Sequence, residues 1–300
     1  MRTRKLGPLE VTVVGLGCNN FGGRIEEAAT RLVVDAALDA GVTFFDTADI
    51  YGNKGGSETA LGNVLQGRRD RVVLATKWGM PMREDAEPHG SRTYIRRAIE
   101  ASLERLQTDR VELYQHHQED SETPLEETFG ALKELLDEGK ILAAGTSNYA
   151  PENLERAVAI AAELGVPYVS EQSEYSLLRR DAEAELLPAC ERLGLGFLPY
   201  FPLASGLLTG KVTRSAPPAA GTRLHGREID DADLDRVERL QAWADAHGRS
   251  LLEVAIGTLA ATSPVASVIA GATKPEQVRA NAAAGVWEPS PGELVELQQL

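Results

Sequence analysis

Cysteine is almost missing from this 300-residue chain: there are two, Cys18 and Cys190, with no CxxC or Cys/His spacing around either. Two such residues cannot build a disulfide framework or a zinc site, so each is expected to be a small core residue of a protein from a reducing compartment. Positive charge is also short. Lysine and arginine number 31 against 45 aspartates and glutamates, a formal net charge of -14 with a pI near 4.9. That balance excludes a nucleic-acid or anionic-membrane surface, both of which need a field of the opposite sign. A phosphate-bearing ligand would have to meet a local cluster of positive groups. Long apolar runs are missing too, and none approaches membrane-spanning length. The basic start MRTRK is followed by Gly7, Pro8 and Glu10, which interrupt the apolar segment a signal peptide requires. The expectation is a cytoplasmic protein.

What the chain does contain is a rhythm. After a stretch expected to form a hairpin (Arg4 to Leu6, a Gly7-Pro8 turn, Val11 to Val14), short apolar runs alternate with longer amphipathic segments. The runs are VVGLG, VTFFD, RVVLAT, VELYQ, ILAAG, VPYVS, LGFLPY and VASVIAG. Between them, EEAATRLVVDAALDAG sets Ala28, Leu32, Val33, Ala36 and Ala37 at helical spacing and stops at Gly41. Thr123-Pro124-Leu125-Glu126 offers a capping box ahead of a second helix, and Ala150-Pro151 opens a third. Eight repeats, with no Pro/Gly-rich linker, predict one α/β domain over 1-300: a (β/α)8 TIM barrel with an N-terminal β-hairpin. A doubly wound open sheet is the alternative. Residues Thr213 to Asp233, with the polar SAPPAAGTRLHG, are expected to form a long surface loop, followed by helices over Ala232 to His247 and Ser250 to Ala261.

In such a barrel the functional groups sit just past the C-terminal ends of the strands. The second run ends in Asp46, with Tyr51 five residues on; the third ends in Lys77, and the fourth in His116 and His117. Each has an ordinary explanation alone, as a helix cap, a surface lysine or a strand-end polar residue, but together they bring an acid, a phenol, an ammonium and an imidazole to one mouth. That set suits protonation of a carbonyl oxygen. A phenol of pKa about 10 is a weak acid near neutrality, and a neighbouring ammonium is expected to lower it. Asp46 would hold the lysine, and an imidazole would donate to the oxygen as charge develops there. Metal chemistry on His116, His117, Glu119 and Asp120 is disfavoured, because adjacent strand residues point to opposite faces.

These residues lie in motifs that resemble the aldo-keto reductases over nearly the full length. FFDTADIYG, KWG, LYQHHQED, GTSN, QSEYSLL, YFPLASGLLTGK and GATKPEQ occur in that family's order and spacing. The resemblance implies Tyr51 as proton donor, Lys77 and Asp46 as the pair that tunes it, and His117 as the residue orienting the carbonyl. His116 stands where the family commonly has leucine or valine, a place where it either packs or touches the substrate. The reducing cofactor would be a nicotinamide held without a dinucleotide-binding fold. GLGCNNFGG supports this independently, since Asn20 replaces the third glycine of G-x-G-x-x-G and no helix is expected to open there.

By the same resemblance, Ser147, Asn148 and Gln172 hold the carboxamide and Tyr200 stacks on the ring, as amide, hydroxyl and flat aromatic groups can. Phe201, Pro202, Leu203, Ala204 and Gly206 would offer backbone N–H groups to the pyrophosphate, with Lys211 nearby. Gly271, Thr273, Gln277 and Asn281 would meet the adenosine end, although Ala280 replaces a usual glutamate. Likeness to the subgroup that includes potassium-channel β-subunits, with charge from Lys211 and Arg223, implies NADPH ahead of NADH. The substrate, a small carbonyl compound, would be sensed by Asn19, Asn20, Phe21, Ile50, Trp78, Met80, His116 and the loops after Trp78 and Lys211. No metal is expected. The other function this likeness suggests is a cofactor-binding redox sensor or regulatory subunit. Oligomeric state is not readable from the chain.

Overall fold

The turn chemistry of the first residues decides how the chain begins. In the computed structural model, which describes residues 1–82 and 87–300, β1 (Thr3–Leu6) pairs with β2 (Leu9–Thr12), Leu6 opposite Leu9. Gly7 has φ +58°, and proline cannot follow it into that region, which leaves a type II′ turn with glycine first. The second strand lies two residues earlier than the apolar pattern suggested, because Val14 already starts the next one. Leu6, Leu9 and Val11 pack with Phe44, Ala75, Leu113, Ala143 and Val169, so the hairpin plugs the N-terminal mouth of the barrel.

All eight predicted runs become strands: β3 (Val14–Gly17), β4 (Phe44–Asp46), β5 (Val73–Trp78), β6 (Val111–His116), β7 (Ile141–Ser147), β8 (Tyr168–Gln172), β9 (Gly196–Phe197) and β10 (Val268–Gly271). From β3 to β9 each strand pairs in parallel with the next, and β10 pairs in parallel with β3. Short β9 closes the ring. Phe197 N–H donates to Pro264 O at 3.0 Å, Ala266 N–H to Phe197 O at 2.9 Å and Ile269 N–H to Pro199 O at 3.1 Å. Buried on both faces, these strands show continuous apolar runs rather than alternation.

The helices surround the barrel: α1 (Glu27–Asp39), α2 (Tyr51–Val64), α3 (Arg92–Leu106), α4 (Leu125–Asp137), α5 (Pro151–Leu164), α6 (Leu186–Leu193), α7 (Asp231–Ala246), α8 (Leu251–Ala261), α9 (Pro275–Ala284) and α10 (Pro291–Gln298). Two local expectations fail. On α1 the buried stripe is Thr30, Val33, Val34, Ala36, Ala37 and Leu38, whereas Leu32 is 58% exposed and Ala28 faces solvent. The inward face is thus rotated by about one residue. At α4, Pro124 is the cap, because the Thr123 hydroxyl is drawn away to donate to Asp120. A full capping box forms instead at α8, where Ser250 Oγ accepts from Glu253 N–H and Glu253 accepts from Ser250 N–H. The expected long loop runs up to α7 at Asp231 and is pinned inward by Leu224, which packs with Leu207, Leu208, Val237 and Leu240.

Candidate active site

Strand alternation selects what enters the barrel. Lys77 pairs in register with Gln115, and both, with Asp46, face inward. Lys77 is wholly buried; its Nζ donates to Asp46 Oδ2 at 2.6 Å and to Thr47 O at 2.9 Å. The other Asp46 oxygen accepts from Gln115 Nε2 at 3.1 Å and Gln172 Nε2 at 3.0 Å. Burial opposes the lysine's charge, but Asp46 and Tyr51 outweigh it and hold the pKa above the ordinary lysine value. The ammonium is therefore permanent.

Tyr51 is placed by a loop that leans on β5. Thr47 N–H donates to Ala75 O and Asp49 N–H to Lys77 O, after which Gly52, Asn53, Lys54 and Gly55 all have positive φ (68, 61, 66 and 108°). Such a left-handed run is costly where side chains are present. At Gly52 it also leaves no room, since a Cβ would lie 2.4 Å from Phe21 O. The result is a phenol ring with Lys77 Nζ 5.2 Å from its centroid and the His117 ring edge-on at 5.6 Å. Burial raises the phenol's pKa more than Lys77 lowers it, the reverse of the expected direction. In this dry mouth Tyr51 keeps its proton.

His117 is fixed through its backbone, N–H donating to Trp78 O at 2.7 Å. Its Nδ1 is buried with no hydrogen-bond partner among the described residues. Burial, then Lys77 and His116, push its pKa down to about 3, so the imidazole is neutral at neutral pH. Asn148 Nδ2 donates to His117 O at 3.1 Å and to Ser147 Oγ at 3.0 Å, Ser147 Oγ donates to Gln172 O at 2.7 Å, and the Tyr200 hydroxyl donates to Asn148 Oδ1 at 3.0 Å. The structure thus brings Asp46, Tyr51, Lys77, His117, Ser147, Asn148, Gln172 and Tyr200 to one mouth.

The remaining expected residues divide. Phe201, Ala204, Ser205 and Gly206 have positive φ, a turn of the kind that gathers N–H groups. Two of those groups are engaged, however: Ala204 N–H donates to Phe201 O and Gly206 N–H to Leu203 O. Pro202 is buried and Leu203 half-buried. Arg223 donates to Asn20 Oδ1 at 3.2 Å and lies 5.2 Å from the centroid of the Phe201 ring. Asn20 in turn donates to Ala272 O, which ties the long loop to the end of β10 beside Gly271. Lys211 is exposed. Gln277 Oε1 accepts from the Thr273 and Lys274 N–H groups and so caps α9, while Asn281 is buried. Asn19, Ile50 and Met80 are partly exposed. Residues 83–86, in the loop after Trp78, lie outside the described residues.

Trp78 and Phe21 are corrections, and of the two roles open to His116 the structure gives it packing. The two strand residues alternate with Lys77 and Gln115 and so point outward, behind the barrel wall. Trp78 stacks on Tyr114 at 4.4 Å and on His116 at 4.8 Å, and Phe21 is enclosed in the same apolar layer. His116 shares a 2.8 Å hydrogen bond with the Tyr149 hydroxyl; its Nε2 has no hydrogen-bond partner among the described residues. Burial brings its pKa to about 4, Asp120 opposing, below the reference of about 6.5. A depressed histidine contributes stability above its unfolded pKa, and this is lost as pH falls from about 6.5 toward 4. His116→Leu is therefore expected to flatten the fall in urea-unfolding free energy between about pH 7.5 and 5 by roughly 1–3 kcal/mol, with turnover kept.

Other polar groups near the site were not singled out from the sequence. Gln115 was visible only as part of LYQHHQED, yet its parity with Lys77 and His117 could have marked it as inward-facing. Glu58, wholly buried, accepts from Thr76 Oγ1 and Arg105 Nε. Asp49 is buried with one oxygen unpartnered among the described residues, its pKa raised to about 8 by burial and by Glu58. Glu171, on β8, is also wholly enclosed. No periodicity distinguishes such carboxylates from surface ones. Among the described residues no group of His, Cys, Asp and Glu is placed to hold a metal ion, and no helix is long and apolar enough to cross a membrane.

A permanent ammonium, a protonated phenol and a neutral imidazole at the C-terminal mouth of a (β/α)8 barrel are equipment for protonating a polarised oxygen. The chain matches the sequence model of the aldo/keto reductase family over residues 13–299. It is 41% identical over 290 residues to the uncharacterized oxidoreductase YrpG of Bacillus subtilis (strain 168), covering 90% of this chain and 86% of that protein. It is 35% identical over 283 residues to probable aldo-keto reductase 1 of Glycine max, covering 90% and 80% respectively. The protein belongs to the aldo/keto reductase family. In general terms it is an oxidoreductase of carbonyl compounds, from a family that generally uses a nicotinamide cofactor.

Proposed function

We propose that the protein reduces aldehydes, and ketones that fit the same mouth, to alcohols with NADPH, and that Tyr51 supplies the proton. The observation that carries this is the convergence of Tyr51, Lys77 and His117, with Lys77 locked to Asp46 at 2.6 Å. The donor set fits the cofactor: the exposed Asn148 amide can pair with a carboxamide, the half-buried Tyr200 ring can cover a flat heterocycle, and Arg223 supplies local positive charge in an acidic protein. When bound, the nicotinamide would supply the hydride. The protein's part is to hold the carbonyl oxygen between the His117 imidazole and the Tyr51 hydroxyl, and to exclude water around them. As charge builds on that oxygen, the Tyr51 proton moves to it and Lys77 stabilises the phenolate left behind.

Oxidation of NADPH and of NADH, each with reactive aromatic and aliphatic aldehydes, tests the reading. Aldehyde-dependent oxidation, faster with NADPH, is expected. Tight cofactor binding without turnover of any carbonyl compound would replace it with a cofactor-sensing role. Because Arg223 is the candidate partner of a 2′-phosphate, Arg223→Ala is expected to raise the KM for NADPH about ten-fold and that for NADH by no more than about two-fold. Equal effects on both would remove Arg223 from cofactor choice.

A further inference from the structure

We infer that Glu171, behind the barrel wall, is the positioning residue that holds the Ser147–Tyr149 turn in its binding shape; this rests on the reading that the turn grips a nicotinamide carboxamide. Glu171 is 0% exposed and points away from Gln172, its inward-facing neighbour on β8. Its carboxylate accepts from Thr146 Oγ1 at 2.5 Å, Ser173 Oγ at 2.8 Å and Tyr149 N–H at 3.2 Å. The Asn148 N–H, which donates to Gln172 O at 3.0 Å, faces it as well. These donors come from the two segments that carry Ser147, Asn148 and Gln172.

Asn148 has φ +61°, a conformation that persists in a non-glycine residue only where its surroundings impose it. Gln172 O pins the turn from the front and Glu171 pins it from behind. A carboxylate only accepts, so it can satisfy all of these donors at once. A protonated carboxyl or an amide must donate at one of these positions, which the Thr146 hydroxyl can meet only by reversing its bond and turning its own hydrogen to the Tyr168 hydroxyl, 2.6 Å away, so the turn gives up one of its anchoring donors.

The same geometry makes the turn responsive to pH. The groups facing Glu171 are Tyr149 from the turn, Tyr168 from β8, Cys190 from α6 and Tyr200 past β9; Glu119 and Asp120 lie beyond Tyr149. Among the described residues no cation pairs with it. Burial lifts its pKa to about 7, against the hydrogen bonds of Thr146, Ser173, Tyr149 and Asn148. As pH falls through that value the carboxyl takes up a proton and the turn loses an acceptor, so cofactor affinity falls on the acid side.

The test is calorimetric binding of NADP⁺ to wild type and Glu171→Gln between about pH 8.5 and 5.5, with kcat at saturating cofactor. The slope remaining in the variant belongs to the 2′-phosphate and other groups, and the difference between the proteins belongs to Glu171. The variant is expected to bind about ten-fold more weakly at the alkaline end and to converge with wild type at the acid end, kcat staying within about three-fold. Parallel curves, or a loss confined to kcat, would overturn the inference. Should that variant not fold, Thr146→Val, which removes one donor, is expected to move the wild-type affinity loss to higher pH; an unmoved curve would overturn it equally. If NADP⁺ binds neither protein at any pH, the cofactor reading fails, and this inference with it.

Discussion

Tyr51→Phe is expected to lower kcat for every aldehyde by about 10²–10⁴-fold, the usual contribution of a positioned general acid, while cofactor affinity changes by no more than about two-fold. The size follows from the chemistry around the ring. The two groups against the ring are poor substitutes: Asp46 holds Lys77 to its proton, and His117 is a neutral imidazole with its pKa near 3. The selectivity follows from geometry, because the Tyr51 hydroxyl is not among the hydrogen bonds that fix Ser147, Asn148, Gln172 and Tyr200. Steady-state kinetics together with calorimetric cofactor titration checks both halves. A Phe variant that keeps more than about a tenth of wild-type turnover would show that water or another residue delivers the proton, and the proposed acid would be wrong.

The fold was legible because each β/α unit carries its own signal. VTFFD and VELYQ are apolar runs buried on both faces, and the glycine and proline at Gly41 and Pro151 mark helix ends. The meeting of Asp46, Tyr51, Lys77 and His117 was legible for a related reason: in a parallel barrel, the position after a strand translates directly into a place at the mouth. What the sequence did not show depends on side-chain direction or on desolvation. The orientations of Trp78 and His116 follow from counting outward from Lys77 in steps of two, a count that needs one inward residue to be known first. The rise of the Tyr51 pKa could not be anticipated from its neighbours, because the burial that outweighs Lys77 belongs to the closed loop, not to any motif. Phe21 stayed hidden because its place depends on the left-handed run at Gly52–Gly55 crossing over it. Glu171 was missed because a buried carboxylate satisfied by hydroxyls and backbone N–H groups leaves no charge pattern along the chain.

Lys77→Met tests the other half of the site, and its expected result is a loss of both stability and activity that a second substitution separates. Removing the ammonium strands the Asp46 carboxylate, which is 2% exposed and keeps, among the described residues, the amides of Gln115 and Gln172. An unpaired buried charge of this kind costs about 3–5 kcal/mol. Adding Asp46→Asn removes the stranded charge, so the double variant is expected to regain most of that stability in chemical denaturation. A neutral pair of similar volume is often as stable as the ion pair it replaces. Activity behaves differently. On the proposed mechanism the Lys77 ammonium beside the ring stabilises the phenolate formed as the proton leaves, so both variants are expected to fall at least about 10²-fold in kcat. Recovered stability with unrecovered turnover would mean that the Asp46–Lys77 pair is kept for chemistry and not for folding. If the double variant recovered turnover as well, Lys77 would be a structural cation, and the acidity of Tyr51 would have to come from His117 alone.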